Sequence, residues 1–150
     1  MVALAACSGA DPSYVARDPC AALAVTAPSA TAFERDGIAD ALALWRARGV
    51  AAFDAETPDS AGPSIAIRFD AAGSAFHGVY DPPSNSVVVN RAITDRAMVA
   101  IVIAHELGHV FGLVHISASA RVSLMNPGNL VTPPTDGDQR ALEALWGACK

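Results

Sequence analysis

Three of the chain's four histidines, His105, His109 and His115, fall within one short stretch, His105-Glu106-Leu107-Gly108-His109-Val110-Phe111-Gly112-Leu113-Val114-His115, and together they could hold a metal ion. Residues i and i+4 share one face of a helix, so His105 and His109 can present both imidazoles on the same side, one turn apart. Gly112 can end the helix in a left-handed turn at no side-chain cost, and a sharp turn there would return His115 to the same point. Three neutral imidazoles with a water in the fourth position make an open, catalytic type of zinc site, whereas structural sites are closed by four protein ligands. Glu106, next to the first histidine, is placed to act on that water as a general base and then to hand the proton on as an acid.

Such a site needs a helix that keeps its register, and the chain supplies one. Thr94 or Asp95 can cap a helix running from about residue 95 to Phe111, with Met98, Ile101, Val102 and the positions from Ala104 to Leu107 burying most of its circumference. An earlier helix starts at a capping box, Thr31-x-x-Glu34, and repeats Ile38, Ala41, Leu42 and Trp45 at helical spacing until Gly49. Strands are expected at Ala21 to Thr26, Val50 to Phe53, Ser64 to Phe69, Ala75 to Tyr80 and Ser86 to Asn90. In Ser64 to Phe69 the residues Ile65, Ile67 and Phe69 share one face and Arg68 points away, while Asp81-Pro82-Pro83-Ser84-Asn85 forces a turn. Beyond His115, Ser123 to Gly128 reads as a tight turn around Met125. Asp136-x-x-Gln139 then caps a last helix through Leu142, Leu145 and Trp146 to Gly147. The expected fold is α+β: a twisted mixed sheet of about five strands with two long helices, the histidines on the second, then the Met125 turn and a C-terminal helix.

Composition narrows the partners. Apolar residues make up 52% of 150 residues, yet no uninterrupted apolar run reaches the length of a membrane helix. The net charge of −5 leaves no basic footprint for nucleic acid. We expect a tether over residues 1–19 and one domain over 20–150, acting as a monomer. The start, Leu4-Ala5-Ala6-Cys7, resembles the end of a bacterial lipoprotein signal, with Cys7 as the lipid anchor; the alternative is a free or buried thiol near a frayed terminus. Cys20 and Cys149 then remain as a pair near the two ends of the domain. A disulfide is the first reading, ahead of two separate core thiols or a thiolate that blocks the metal. His77, alone on its strand, reads as a surface histidine and not as a fourth ligand.

The run His105-Glu106-x-x-His109-x-x-Gly112-x-x-His115, with Met125 ten residues on, resembles the signature of metzincin zinc proteases with their Met-turn. Within that clan the chain is most similar to matrixins: Leu113 follows the glycine, Leu124-Met125-x-Pro127 is similar to their Met-turn, and Asp136 to Gly147 to their final helix. The resemblance implies a zincin fold with the Ala75 to Tyr80 strand at an antiparallel edge, and one catalytic Zn2+ held by His105, His109 and His115. It also implies Met125 as an apolar floor beneath the metal, and Glu106 as the catalytic acid and base of an endopeptidase. Extended peptide or protein would be the substrate. A pocket between the zinc helix and the loop after Met125, shaped by Asn126 to Thr132, would take an apolar side chain just after the cleaved bond. The setting would be extracellular or in a bacterial cell envelope. Departures from the matrixin pattern are Ile116, where those proteins usually have serine, and ligands for structural zinc and calcium, which are not evident between residues 54 and 90. No cysteine-switch propeptide is expected. The rival reading is an envelope peptide-binding module that keeps the fold and the zinc without cleaving; the presence of Glu106 favours the enzyme.

Overall fold

Alternation in Ser64–Asp70 builds the centre of the sheet. Ile65, Ile67 and Phe69 are buried on one face, and Arg68 is exposed on the other. In the computed structural model, residues 16–54 and 62–150 are described. Their elements run β1 (Ala24–Thr26), α1 (Ala32–Arg46), β2 (Ser64–Asp70), β3 (Gly78–Asp81), β4 (Ser86–Asn90), α2 (Arg96–Val110) and α3 (Asp136–Trp146). The order across the sheet is β1-β2-β4-β3. β1 and β4 pair with β2 in parallel, and β3 runs antiparallel to β4 at the edge. The class is therefore α+β with a mixed open sheet, and the antiparallel edge falls where it was expected.

Among the described residues the sheet has four strands, one fewer than the sequence suggests. Val50 to Phe53 does not join it. Both Ala51 N and Ala52 N donate to Pro19 O, at 3.0 and 2.9 Å, and Asp54 N turns back to Ala51 O at 3.1 Å. The apolar residues there enter the core through a turn: Ala52 is fully buried and Phe53 nearly so. Burial made the segment resemble a strand, but its backbone donors go to the lead-in chain instead of a ladder. The third strand is also shorter than Ala75 to Tyr80, because Phe76 N closes a turn on Gly73 O at 3.0 Å before β3 begins.

Both long helices carry the expected caps. Thr31 and Glu34 form a reciprocal capping box at α1, and Asp95 accepts from Met98 N at 2.9 Å at the start of α2. Residues Val99 to Gly108 of α2 are all buried, so this helix is the core of the molecule, with α1 and the sheet packed around it. Trp45 of α1 is fully buried; its Nε1 donates to Ala104 O at 2.9 Å and its ring meets Phe111 edge-on with centroids 6.0 Å apart. α3 is capped one residue earlier than Asp136-x-x-Gln139 would place it, by Thr135 with Asp138 as its partner.

Cys20 and Cys149 form a disulfide that joins the lead-in segment to the residues after α3 across 129 positions of sequence. The site of expected lipidation, Cys7, lies outside the described residues. Within them, no helix is long and apolar enough to cross a membrane. Because the bridge closes a very long loop in the unfolded chain, replacing both cysteines by serine should lower unfolding stability by about 2–5 kcal/mol. Urea titration of the two forms checks this.

Candidate metal centre

The helix positions the first two histidines and the turn after it positions the third. α2 ends at Val110, and Gly112 adopts φ +96°, a left-handed conformation that side chains disfavour. Leu113 N then bonds Gly108 O at 2.9 Å, and the chain folds back so that His115 faces His105 and His109. Ring centroids lie 5.0, 5.1 and 4.9 Å apart for the pairs 105/109, 105/115 and 109/115. One ring nitrogen from each histidine lies within 4.8 Å of the other two.

The outer nitrogens explain this convergence. His105 Nδ1 sits 2.8 Å from Leu124 O and His109 Nδ1 sits 2.8 Å from Leu113 O; a carbonyl only accepts, so both Nδ1 atoms carry the proton. Each Nε2 is thereby left as a lone pair facing inward. His105 Nε2 lies 3.0 Å from His115 Nε2, and His109 Nε2 is buried with no hydrogen-bond partner. Lone pairs gathered in this way repel one another unless a cation lies between them. Burial lowers the pKa of all three histidines and pushes His109 down to about 4, so they are neutral, as ligation requires. The donor set therefore fits a metal ion that accepts three nitrogens and keeps an open position.

A second layer holds this first one. Leu124 O, which accepts from His105, belongs to the turn containing Met125, and that turn is fastened from below by Asp138. This carboxylate is fully buried, and it accepts from Ser123 Oγ at 2.5 Å, Leu124 N at 2.9 Å and Arg121 Nη1 at 3.0 Å. Met125 is 1% exposed, and its Sδ lies 2.6 Å from where a Cβ on Gly108 would stand, so the thioether packs on the helix at the residue before His109. Ile116 N bonds Met125 O at 3.1 Å and ties the segment after His115 to the same turn. Asp138, Leu113 O and Leu124 O were not singled out in the sequence. Only the Thr135-x-x-Asp138 spacing could have flagged Asp138, and then as a helix cap.

Glu106, the residue after the first histidine, points towards the edge strand. It is 4% exposed, and its Oε2 accepts from Tyr80 N at 2.8 Å. Burial pushes its carboxyl up to about 7, partly offset by that hydrogen bond. His77 joins no metal cluster among the described residues. An apolar cavity of about 560 Å3 opens beside α2, lined by Leu44, Met98, Ile101, Leu130, Val131 and Pro133. Ile101 lies one turn before His105.

An α+β fold with three imidazoles converging from a His105-Glu106-x-x-His109-x-x-Gly112-x-x-His115 run defines a metzincin-type zinc metallopeptidase. Residues 38–116, just over half of the chain, match the family described as metallo-peptidase family M12B, reprolysin-like, and the chain belongs to that family. The match runs from within α1 through β2, β3, β4 and α2 to just past His115. No curated protein matches the chain.

Without metal, Glu106 and His109 act on stability in opposite directions. Folded Glu106 keeps its proton up to about pH 7 while the unfolded chain releases it near 4.5, so stability is lost as pH rises through that window. Folded His109 stays neutral down to about pH 4 while the unfolded chain takes a proton near 6.5, so stability is lost as pH falls through that window. Glu106→Gln removes the first effect alone. In chelator at about pH 8 the variant should be more stable than the wild type by on the order of 1–3 kcal/mol in urea titrations, and the gap should close below about pH 4.5.

Proposed function

We propose that the protein is a zinc endopeptidase that cleaves extended polypeptide, with Glu106 as general base and acid and with His105, His109 and His115 holding one catalytic ion. The observation that carries this reading is the pairing of three inward-facing neutral imidazoles with a buried carboxyl on the same helix, held by the sheet's edge strand. A zinc ion held there supplies Lewis-acid activation of water and of a scissile carbonyl. Glu106 takes the proton of the attacking water and returns it to the leaving amine. No serine or cysteine nucleophile is required.

Substrate binding follows from topology. β3 has a neighbour only on its β4 side among the described residues, so an extended peptide can add as a further strand along its outer edge. We assign the apolar cavity bounded by Leu44 of α1, Met98 and Ile101 of α2, and Leu130, Val131 and Pro133 to the side chain just after the cleaved bond. The finer likeness to matrixins rests on Leu113, on Leu124-Met125-x-Pro127 and on α3. Met125 serves as the floor of the metal site. The Cys20–Cys149 bridge suits an oxidising compartment, and we place the protein outside the cell or in the envelope, as a monomeric domain over residues 20–150, with Cys7 as its lipid anchor.

A peptide library incubated with the protein and sequenced by mass spectrometry tests the reading. The wild type should cut before apolar residues, and chelator should abolish cutting. Glu106→Ala should lose about 10²–10⁴-fold in rate with its zinc retained, whereas His115→Ala should lose the zinc itself. A wild type that binds one zinc and binds peptides but cuts none would make the protein a binding module.

A further inference from the structure

The short loop 71–77 must carry the chain from the end of β2 to the start of β3, and these strands are not neighbours, because β4 lies between them. The loop therefore crosses the C-terminal end of β4, and Asn90 is the residue at that end. Asn90 is 2% exposed, and four of the five hydrogen bonds of its carboxamide go to the crossing loop. Nδ2 donates towards Phe76 O at 2.8 Å, Gly73 O at 3.1 Å and Ala72 O at 3.2 Å. Oδ1 accepts from Ala92 N at 3.0 Å and Ala72 N at 3.1 Å. A planar group with two donors and a two-lone-pair acceptor is what this set of backbone partners demands, and among side chains of this size only asparagine has one.

The same residue closes the ladder of the edge strand. Asn90 N donates to His77 O at 2.8 Å, one position beyond the Gly78↔Val89 pair. Asn90 thus fixes both the loop and the first rung of β3, and hence the register. Register matters here because a slip of one residue turns every side chain of a strand to the opposite face. In the observed register Gly78 faces α2, where any Cβ would come 2.6 Å from Val102 Cγ1 and 3.5 Å from Glu106 Cγ. Two residues on, Tyr80 N meets Glu106 Oε2. A slip would bring His77 or Val79 into the space that only glycine fits, and it would remove the donor that holds the carboxylate.

We propose that Asn90 is a positioning residue for the reaction: by pinning the loop 71–77 and the first rung of β3 it sets the register that places Tyr80 N on Glu106 and presents the edge to substrate. This inference rests on Glu106 being the proton carrier proposed above. It assigns a role in turnover to a residue that touches neither metal nor substrate.

Asn90→Asp tests it, since the variant keeps shape and acceptor while setting lone pairs against three carbonyl oxygens. Zinc content should remain near one per chain. On a peptide the wild type cuts, kcat should fall about tenfold or more, as expected for a misplaced catalytic group. Hydrogen exchange at the Tyr80 amide should accelerate about a hundredfold while α2 keeps its wild-type protection. A kcat within about twofold of the wild type would overturn the proposal. So would unchanged protection at Tyr80, or an equal loss of protection across β2 and α2, which would mark a general loss of stability. Should the variant not fold, the wild type decides by NMR: slow exchange of the Asn90 carboxamide protons supports the role, and exchange at the rate of a solvated amide overturns it. The exchange measurements need no substrate. If the wild type cuts no peptide, the reading of Glu106 falls, while exchange at Tyr80 still decides whether Asn90 sets the register.

Discussion

Two imidazoles one turn apart on a helix can share a ligand only if each ring is turned so that one nitrogen faces the other, and that orientation has to be held by something outside the ring. Here two backbone carbonyls do it, Leu124 O for His105 and Leu113 O for His109. A carbonyl can accept but never donate, so each contact sets the tautomer together with the angle. Leu113 lies just past the Gly112 turn, and Leu124 lies in a turn that Asp138 anchors from α3. The helix, its terminating turn, the Met125 turn and the last helix therefore meet in one requirement, the placement of lone pairs.

Charge is handled by burial at the next residue of the same helix. A carboxyl that is 4% exposed would ordinarily be a fault in a core, and Tyr80 N donates to it across the sheet edge. The raised pKa records this tension: without metal, ionising Glu106 at neutral pH costs stability. The edge strand completes the surroundings of the carboxyl through Tyr80 N.

The C-terminal end of α2 is also where the two ends of the domain are fastened. Arg17 N donates to Val110 O at 2.8 Å, and Trp146 Nε1 donates to Phe111 O at 2.9 Å. These are carbonyls that a helix leaves unsatisfied in its last turn. The Cys20–Cys149 bridge joins the two segments that supply the donors. A covalent link between the lead-in and the end of the chain thus braces the turn from which His115 returns to the site.

Much of this was present in local order along the chain. The spacing of His105, His109, Gly112 and His115 determined a helix with two ligands on one face and a turn bringing the third, because helical period and glycine's conformational freedom act over a few residues. The caps at Thr31 and Asp95 and the alternation in Ser64–Asp70 were legible for the same reason. Tertiary structure decided what depends on distant backbone. Val50 to Phe53 has the apolar character of a strand, and only the position of Pro19 O turned its donors away from the sheet. Asp138 has the look of a helix cap, and only folding brought Leu124 N and Ser123 to it. Asn90 is one polar residue at a strand end, and four of its five side-chain bonds arise because the loop from β2 must cross over β4. Sequence spacing determines which side chains can face one another, but carbonyls and amides are the same at every position, and only the folded chain determines which of them a side chain will meet.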